Sequence, residues 1–269
     1  MPEQESQSNF EHRPTEEAMQ SFEEFWSLIE AKVKEDSLLI LKRDYGAGYT
    51  AEELEMESQG NLERFISREK EFCRKIFETI SEIKRSNSDR FNALFDIDET
   101  IVKFKYLTKD KTATIFRPSL TALLDHIQKQ GGEIGFFTTR GKEELVGQLK
   151  DEKHLKPVAN YINTELVYST NDAKERSNLG SERFVQGLEE NFGGEEGIID
   201  IEATKTDPNF EADFGTVGDM AKLDYLKEIL LKLRGVPTMI VDDLRYPMYL
   251  NRKRGLYGVR LGDDSSFYF

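Results

Sequence analysis

Asp96 and Asp98 stand two residues apart in Phe95-Asp96-Ile97-Asp98-Glu99-Thr100, directly after the apolar run Ala93-Leu94-Phe95. An apolar run that short, ending in polar residues, reads as a buried strand of a parallel sheet. Ligands of such sheets bind beyond the carboxyl ends of the strands, where these two acids emerge. Side chains alternate along an extended chain, so carboxylates at i and i+2 face one pocket. Two acids on one face repel unless they share a proton or a cation. Mg²⁺, a hard cation that takes oxygen ligands, is the natural third party. An acidic surface loop is the competing reading of this short segment, and the rest of the chain has to decide.

Three further places bear on it. Ile134-Gly135-Phe136-Phe137 is a second buried-strand candidate and runs into Thr138-Thr139-Arg140-Gly141. Thr238-Met239-Ile240-Val241 is a third and ends in Asp242-Asp243. Between them Asp219-Met220-Ala221-Lys222 opens a long amphipathic helix. The ordered set resembles the haloacid dehalogenase (HAD) superfamily of phosphohydrolases, over about residues 90 to 262. That family shows D-x-D-x-T first, a Thr or Ser after the second strand, then a Lys, then an acidic pair after a later strand.

The resemblance implies a Mg²⁺-dependent phosphatase that hydrolyses phosphomonoesters through an aspartyl-phosphate intermediate. Asp96 is the implied nucleophile. Asp98 is the implied acid and then base, a reversal that microscopic reversibility demands. The implied metal set is Asp96, the backbone carbonyl of Asp98, Asp242 and Asp243. Thr138 and Lys222 complete the implied catalytic group by holding phosphoryl oxygens, and Thr138, Thr139, Arg140 and Lys222 make up the expected substrate-binding set. Thr138 and Thr139 compete for one role, with Thr138 favoured as the first polar residue after the apolar run. Asp243 stands equally as a ligand, an acid behind the ligands or a turn residue. Lys222 taken alone is more often a solvated helix residue. Asp98 favours phosphoryl over carbon–halogen chemistry, because relatives acting on carbon–halogen bonds generally lack an acid there.

The substrate hints divide. Asp96 to Val102 with Arg117-Pro118 looks like the branch of RNA polymerase C-terminal-domain phosphatases, which act on phosphoproteins. Thr138-Thr139-Arg140-Gly141 looks equally like bacterial acid phosphatases. The expected partner is therefore a phosphorylated small molecule or a phosphoprotein. A lysine group, Lys103, Lys105, Lys109 and Lys111, follows the first motif where a flap is expected. It reads either as a solvated hairpin or as an attractor of anions. The alternatives to a phosphatase are a non-catalytic binding or scaffold protein on a HAD-like fold, and a phosphomutase.

These residues need a scaffold, and the pattern supplies one. From about Phe91, strands alternate with helices, which implies an α/β fold with right-handed crossovers. The expected core is a Rossmann-like parallel sheet sandwiched by helices, HAD-like by resemblance, with an N-terminal helical appendage. Residues 1–14 are polar and acidic and read as a disordered tail. Residues 15–88 read as helical, capped by Thr15, with stripes through Met19, Phe22, Phe25, Trp26, Ile29 and Val33, then Leu62, Phe65, Ile66, Phe72, Cys73, Ile76, Phe77, Ile80 and Ile83. A capping box at Thr50-Ala51-Glu52-Glu53 and an interruption at Gly60 are expected within this region. Residues 89–269 form the expected catalytic domain.

Only about sixteen residues separate Thr100 from Arg117, enough for a flap and too few for a cap domain of about 50 residues or more. A helix is expected around Glu182 to Asn191, followed by a loop. The helical region is accordingly a candidate lid, or a surface for a partner protein. The chain has 269 residues and a net charge of -14, which opposes binding to nucleic acid. Its single cysteine, Cys73, excludes a disulfide framework and reads as a buried helix residue. His12, His126 and His154 lack metal-ligand spacing. No signal peptide or membrane span is visible, so a cytoplasmic location is the expectation.

Overall fold

The structure is a computed structural model that describes residues 15–45, 51–108, 111–150, 155–170, 193, 197–201, 204, 217–233, 235–244 and 246–262. The expected tail at 1–14, the capping-box Thr50 and the helix expected at 182–191 lie outside them, as do His12 and His154.

Five strands form one parallel sheet, β1 (Phe91–Phe95), β4 (Gly132–Thr138), β5 (Ile162–Ser169), β6 (Thr238–Asp242) and β7 (Leu256–Arg260), in the order β5-β4-β1-β6-β7. A separate antiparallel hairpin, β2 (Val102–Thr108) and β3 (Lys111–Phe116), follows β1 at the place expected for a flap. The helices are α1 (Glu16–Tyr45), α2 (Ala51–Arg85), α3 (Leu120–Lys129), α4 (Lys142–Lys150), α5 (Lys156–Ala159) and α6 (Val217–Leu233). The expected α/β architecture, with helices flanking a parallel sheet and an N-terminal helical hairpin, is the one observed.

Both sheet faces are buried, as a parallel sheet requires. Alternation along β1 sends Phe91, Ala93 and Phe95 into one core with Ile134, Phe136, Met239 and Val241. Leu94 goes to the other side with Phe137, Ile240 and the α6 residues Leu223, Leu226, Ile229 and Leu233. The first core is closed by α3 together with the N-terminal helical hairpin. Phe22 and Trp26 of α1, and Phe72, Ile76 and Phe77 of α2, lie in it beside the sheet residues. The apolar stripes of residues 15–88 therefore pack onto a face of the sheet.

Local signals place these elements. Thr15 Oγ1 accepts the Ala18 N–H at 3.2 Å, the expected cap, and Glu16 and Glu17 complement the helix dipole in the first turn of α1. Gly131, at φ 85°, lets the chain leave α3 and enter β4. Gly60 does not interrupt α2, contrary to expectation. A glycine inside a helix costs only about 1 kcal/mol, and burial of Leu62, Phe65, Phe72, Ile76, Ile80 and Ile83 along the same helix outweighs that. Among the described residues no helix is long and apolar enough to cross a membrane.

The three helices of this layer meet at His126 of α3, whose ring stacks on Phe77 of α2 with centroids 3.9 Å apart and faces Phe25 of α1 at 5.6 Å. Burial, helped by the Lys129 charge, pulls the imidazole from its ordinary 6.5 down to about 4. The unfolded chain takes up this proton near pH 6.5, and the folded chain refuses it until about pH 4. This contribution to stability is therefore intact above pH 6.5 and is lost as pH falls toward 4. His126→Phe, which keeps the stack, should show a smaller fall in melting temperature between pH 7 and pH 5 than the parent protein. Equal falls would remove His126 from the acid response.

Candidate functional site

The connections of β1 and β6, neighbours in the sheet, leave in opposite directions, β1 toward β4 and β6 toward β7. The crevice beyond such a pair of strand ends is where open parallel sheets bind ligands. Asp96 is the first residue after β1, and Asp242 is the last of β6. Register pairs Phe95 with Val241, which brings the two aspartates level, and the Asp96 N–H donates to the Val241 carbonyl at 2.9 Å. The parallel ladder itself sets the spacing of the two acids.

Lys222 reaches them from α6. That helix leans on the sheet through Leu223, Leu226 and Ile229, and Lys222 precedes this stripe at the end near the crevice. Its side chain is 2% exposed, so the commoner expectation of a solvated helix lysine is overturned. Lys222 Nζ lies 3.0 Å from Asp96 Oδ1 and 2.5 Å from Asp242 Oδ2. Asp242 Oδ2 also accepts the Tyr246 hydroxyl at 2.8 Å, and its Oδ1 accepts the Leu244 N–H at 3.0 Å. Tyr246 comes within reach because the 3-10 turn Tyr246–Tyr249 lies directly against β7. A Cβ on Gly258 would stand 1.7 Å from the Pro247 carbonyl oxygen, so only glycine admits that approach.

Asp243 completes the group. Carboxylate oxygens of Asp96, Asp242 and Asp243 all lie within 4.8 Å of one another, an arrangement that can hold a metal ion. Burial raises the Asp96 carboxyl, and Lys222 only partly offsets this, leaving it at about 6. Burial and then the charges of Asp242 and Asp96 raise Asp243 to about 7. Burial alone would lower the Lys222 ammonium, but Asp242 and Asp96 outweigh it and hold the group above its ordinary value. When all three carboxyls are ionised, they outnumber the one ammonium by two charges in a largely buried place. A divalent cation cancels that surplus, and an all-oxygen donor set suits a hard ion such as Mg²⁺.

A second cluster lies beside the first. Arg140 grips Asp98 with both prongs, Nε to Oδ2 at 2.8 Å and Nη2 to Oδ1 at 2.5 Å. The Arg140 N–H donates to Thr138 Oγ1 at 3.3 Å. Thr138, the last residue of β4, is buried, and Thr139 is half-buried in the bend that follows. The structure thus brings Asp96, Lys222, Asp242 and Asp243 together, and links Asp98, Arg140 and Thr138 separately. Asp98 sits on a tight turn closed by the Ile101 N–H donating to the Ile97 carbonyl at 3.1 Å. Glu99 in this turn has φ 57°, a left-handed conformation that glycine adopts more readily.

Tyr246, which contacts this cluster, and Glu69, Arg117 and Ser119, which stand behind the turn that carries Asp98, are absent from the set expected from sequence. Glu69 carried a usable signal. It falls on the buried stripe of α2 between Phe65 and Phe72, where a charge has no place without a partner. Tyr246 carried none, because its reach depends on the approach at Gly258. The chain matches no protein-family model, no curated protein and no solved structure.

Metal binding can be tested by stability. A ligand held by the folded state alone adds about 2.7 kcal/mol at 100 times its Kd, so saturating Mg²⁺ at pH 8 should raise the melting temperature by several degrees. At pH 5 the raised Asp96 and Asp243 carboxyls hold protons, which compete with the ion, and the rise should shrink. Asp243→Asn should reduce the rise at pH 8. A melting temperature indifferent to Mg²⁺ at pH 8 would show that these acids hold no such ion.

Proposed function

We propose that the chain is a Mg²⁺-dependent phosphatase of the HAD type, hydrolysing a phosphomonoester of a small molecule or a protein through an aspartyl-phosphate. The observation that carries this reading is the buried convergence of Asp96, Lys222, Asp242 and Asp243 at the crevice between β1 and β6. A purely structural core has no use for three carboxylates there, since burying surplus charge costs several kcal/mol per ion.

Each residue has a part. Asp96 Oδ attacks phosphorus, forming a P–O bond while the bond to the leaving oxygen breaks. Asp98 donates its proton to that oxygen. Water then attacks the phosphorus of the aspartyl-phosphate and gives a proton to Asp98, which releases phosphate and restores the Asp96 carboxylate. Lys222 screens Asp96 from Asp242 and has a third N–H to offer a phosphoryl oxygen. Thr138 offers a hydroxyl on the other side. Mg²⁺, held by Asp96, Asp242 and Asp243, would neutralise charge on the phosphoryl group. Positioning and electrostatic stabilisation of this kind dominate phosphoryl transfer.

Arg140 fits the reading as a phosphate binder that exchanges partners. Paired with Arg140 through both oxygens, Asp98 is turned to the guanidinium rather than to a leaving group. An arriving phosphate offers the guanidinium the same bidentate geometry, which frees the Asp98 carboxyl to face the leaving oxygen. A second reading, a binding protein on a retained phosphatase fold, draws on the same pair, because both acids of the D-x-D segment already have cationic partners.

Turnover separates the two. The parent protein should release phosphate from p-nitrophenyl phosphate with Mg²⁺ and stop with a chelator. Asp96→Asn should abolish release while leaving the fold intact, because a carboxamide is a poor nucleophile. Asp98→Asn should lose about 10²–10⁴-fold on a substrate with a poor leaving group, the usual worth of acid–base help. Lys222→Ala should weaken phosphate binding and turnover together. A folded parent protein without turnover favours the binding reading, and full activity in Asp96→Asn removes Asp96 as nucleophile.

A further inference from the structure

Glu69 and Arg117 form an ion pair at 2.6 Å whose side chains are 1% and 0% exposed. Glu69 belongs to α2, and Arg117 directly follows β3. The Arg117 guanidinium lies over the Phe72 ring at 4.2 Å and donates through Nε to the Thr100 carbonyl at 2.5 Å. Its backbone N–H donates to the Ile101 carbonyl at 3.2 Å. The other oxygen of Glu69 accepts the Ser119 hydroxyl at 2.6 Å. The bonds from Arg117 to Thr100 and Ile101 therefore end on the short turn that carries Asp98. A second anchor lies farther out, where Phe65 of α2 packs with Ile115 of β3.

Stability alone does not account for such a pair, because buried ion pairs are often replaceable by apolar residues without loss. What an apolar pair cannot supply is direction. A guanidinium is a rigid planar fork, and here one edge is fixed by Glu69 while Nε fixes a carbonyl two residues from Asp98. We propose that α2 belongs to the active site through Glu69 and Arg117, a positioning pair that holds the 97–102 turn and with it the aim of the Asp98 carboxyl. Neither residue touches the reacting atoms. The inference rests on the phosphatase reading for its consequence and on geometry alone for the pair's hold on the turn.

The test uses the full chain with Arg117→Lys, Glu69→Gln and the double variant Glu69→Met/Arg117→Met, with Ser119→Ala as a milder change should these fail to fold. Amide hydrogen exchange in 97–102 should quicken at least about tenfold in the first three, and by less in Ser119→Ala, while β4 and α6 keep their protection. With Mg²⁺, kcat/KM should fall about 100-fold on an alkyl phosphate, the cost of a misplaced group. It should fall far less on p-nitrophenyl phosphate, whose leaving group needs no acid. A double variant that is stable, keeps slow exchange in 97–102 and turns over like the parent would overturn the proposal, as would equal losses on both substrates. If the parent protein has no turnover, the phosphatase reading fails, and exchange in 97–102 still decides whether the pair holds the turn.

Discussion

One ammonium between two carboxylates governs the arrangement at the sheet's edge. Lys222 sits 3.0 Å from Asp96 and 2.5 Å from Asp242, with all three side chains out of water. Taking such charges from water costs several kcal/mol each, and their attraction returns that only if the geometry is held. The fold constrains every member of the triad. The β1–β6 ladder levels the two acids, the apolar stripe of α6 carries the lysine, and Tyr246 with the Leu244 N–H occupies both oxygens of Asp242. A site fixed in this way is organised before any ligand arrives, which is what electrostatic stabilisation of a transition state requires.

The rest of the molecule follows from the need to bury both faces of that ladder. One face is closed by α6 and the segment around Ile198 and Ile199. The other is closed by α3 with the N-terminal hairpin, so α1 and α2 are a layer of the core along most of their apolar stripes. Within that layer Glu69 forms a fully buried ion pair with Arg117, and it lies against the turn that leaves β1.

Legibility in the sequence tracked the range of the forces involved. The strand ends at Asp96, Thr138 and Asp242 were readable because a short apolar run followed by a polar residue is a local pattern, and a parallel sheet turns it into a common edge. Lys222 was readable only by its order in the motif set, since its burial depends on how α6 docks. Gly60 misled because a local helix penalty of about 1 kcal/mol says nothing of the long stripe around it. Tyr246 was invisible, as it needs the backbone approach of Pro247 to Gly258, from eleven residues away. The Arg140–Asp98 pair is a contact 42 residues apart in sequence, and no local pattern announces it.

Exposure separates the two arginines that flank the 97–102 turn. Arg117 and its glutamate are sealed, and removing one partner from such a pair costs about 3–5 kcal/mol because a charge is left buried and alone. Arg140 is 19% exposed and its Asp98 partner 44%, and a pair in contact with water is worth about 0–1 kcal/mol. An anion competing for a guanidinium can therefore displace Asp98 from Arg140 at little cost, whereas it has no route to Arg117. In the proposed reaction this assigns the two cations opposite tasks. One keeps the turn still, and the other lets go of the acid it holds when phosphate comes in its place.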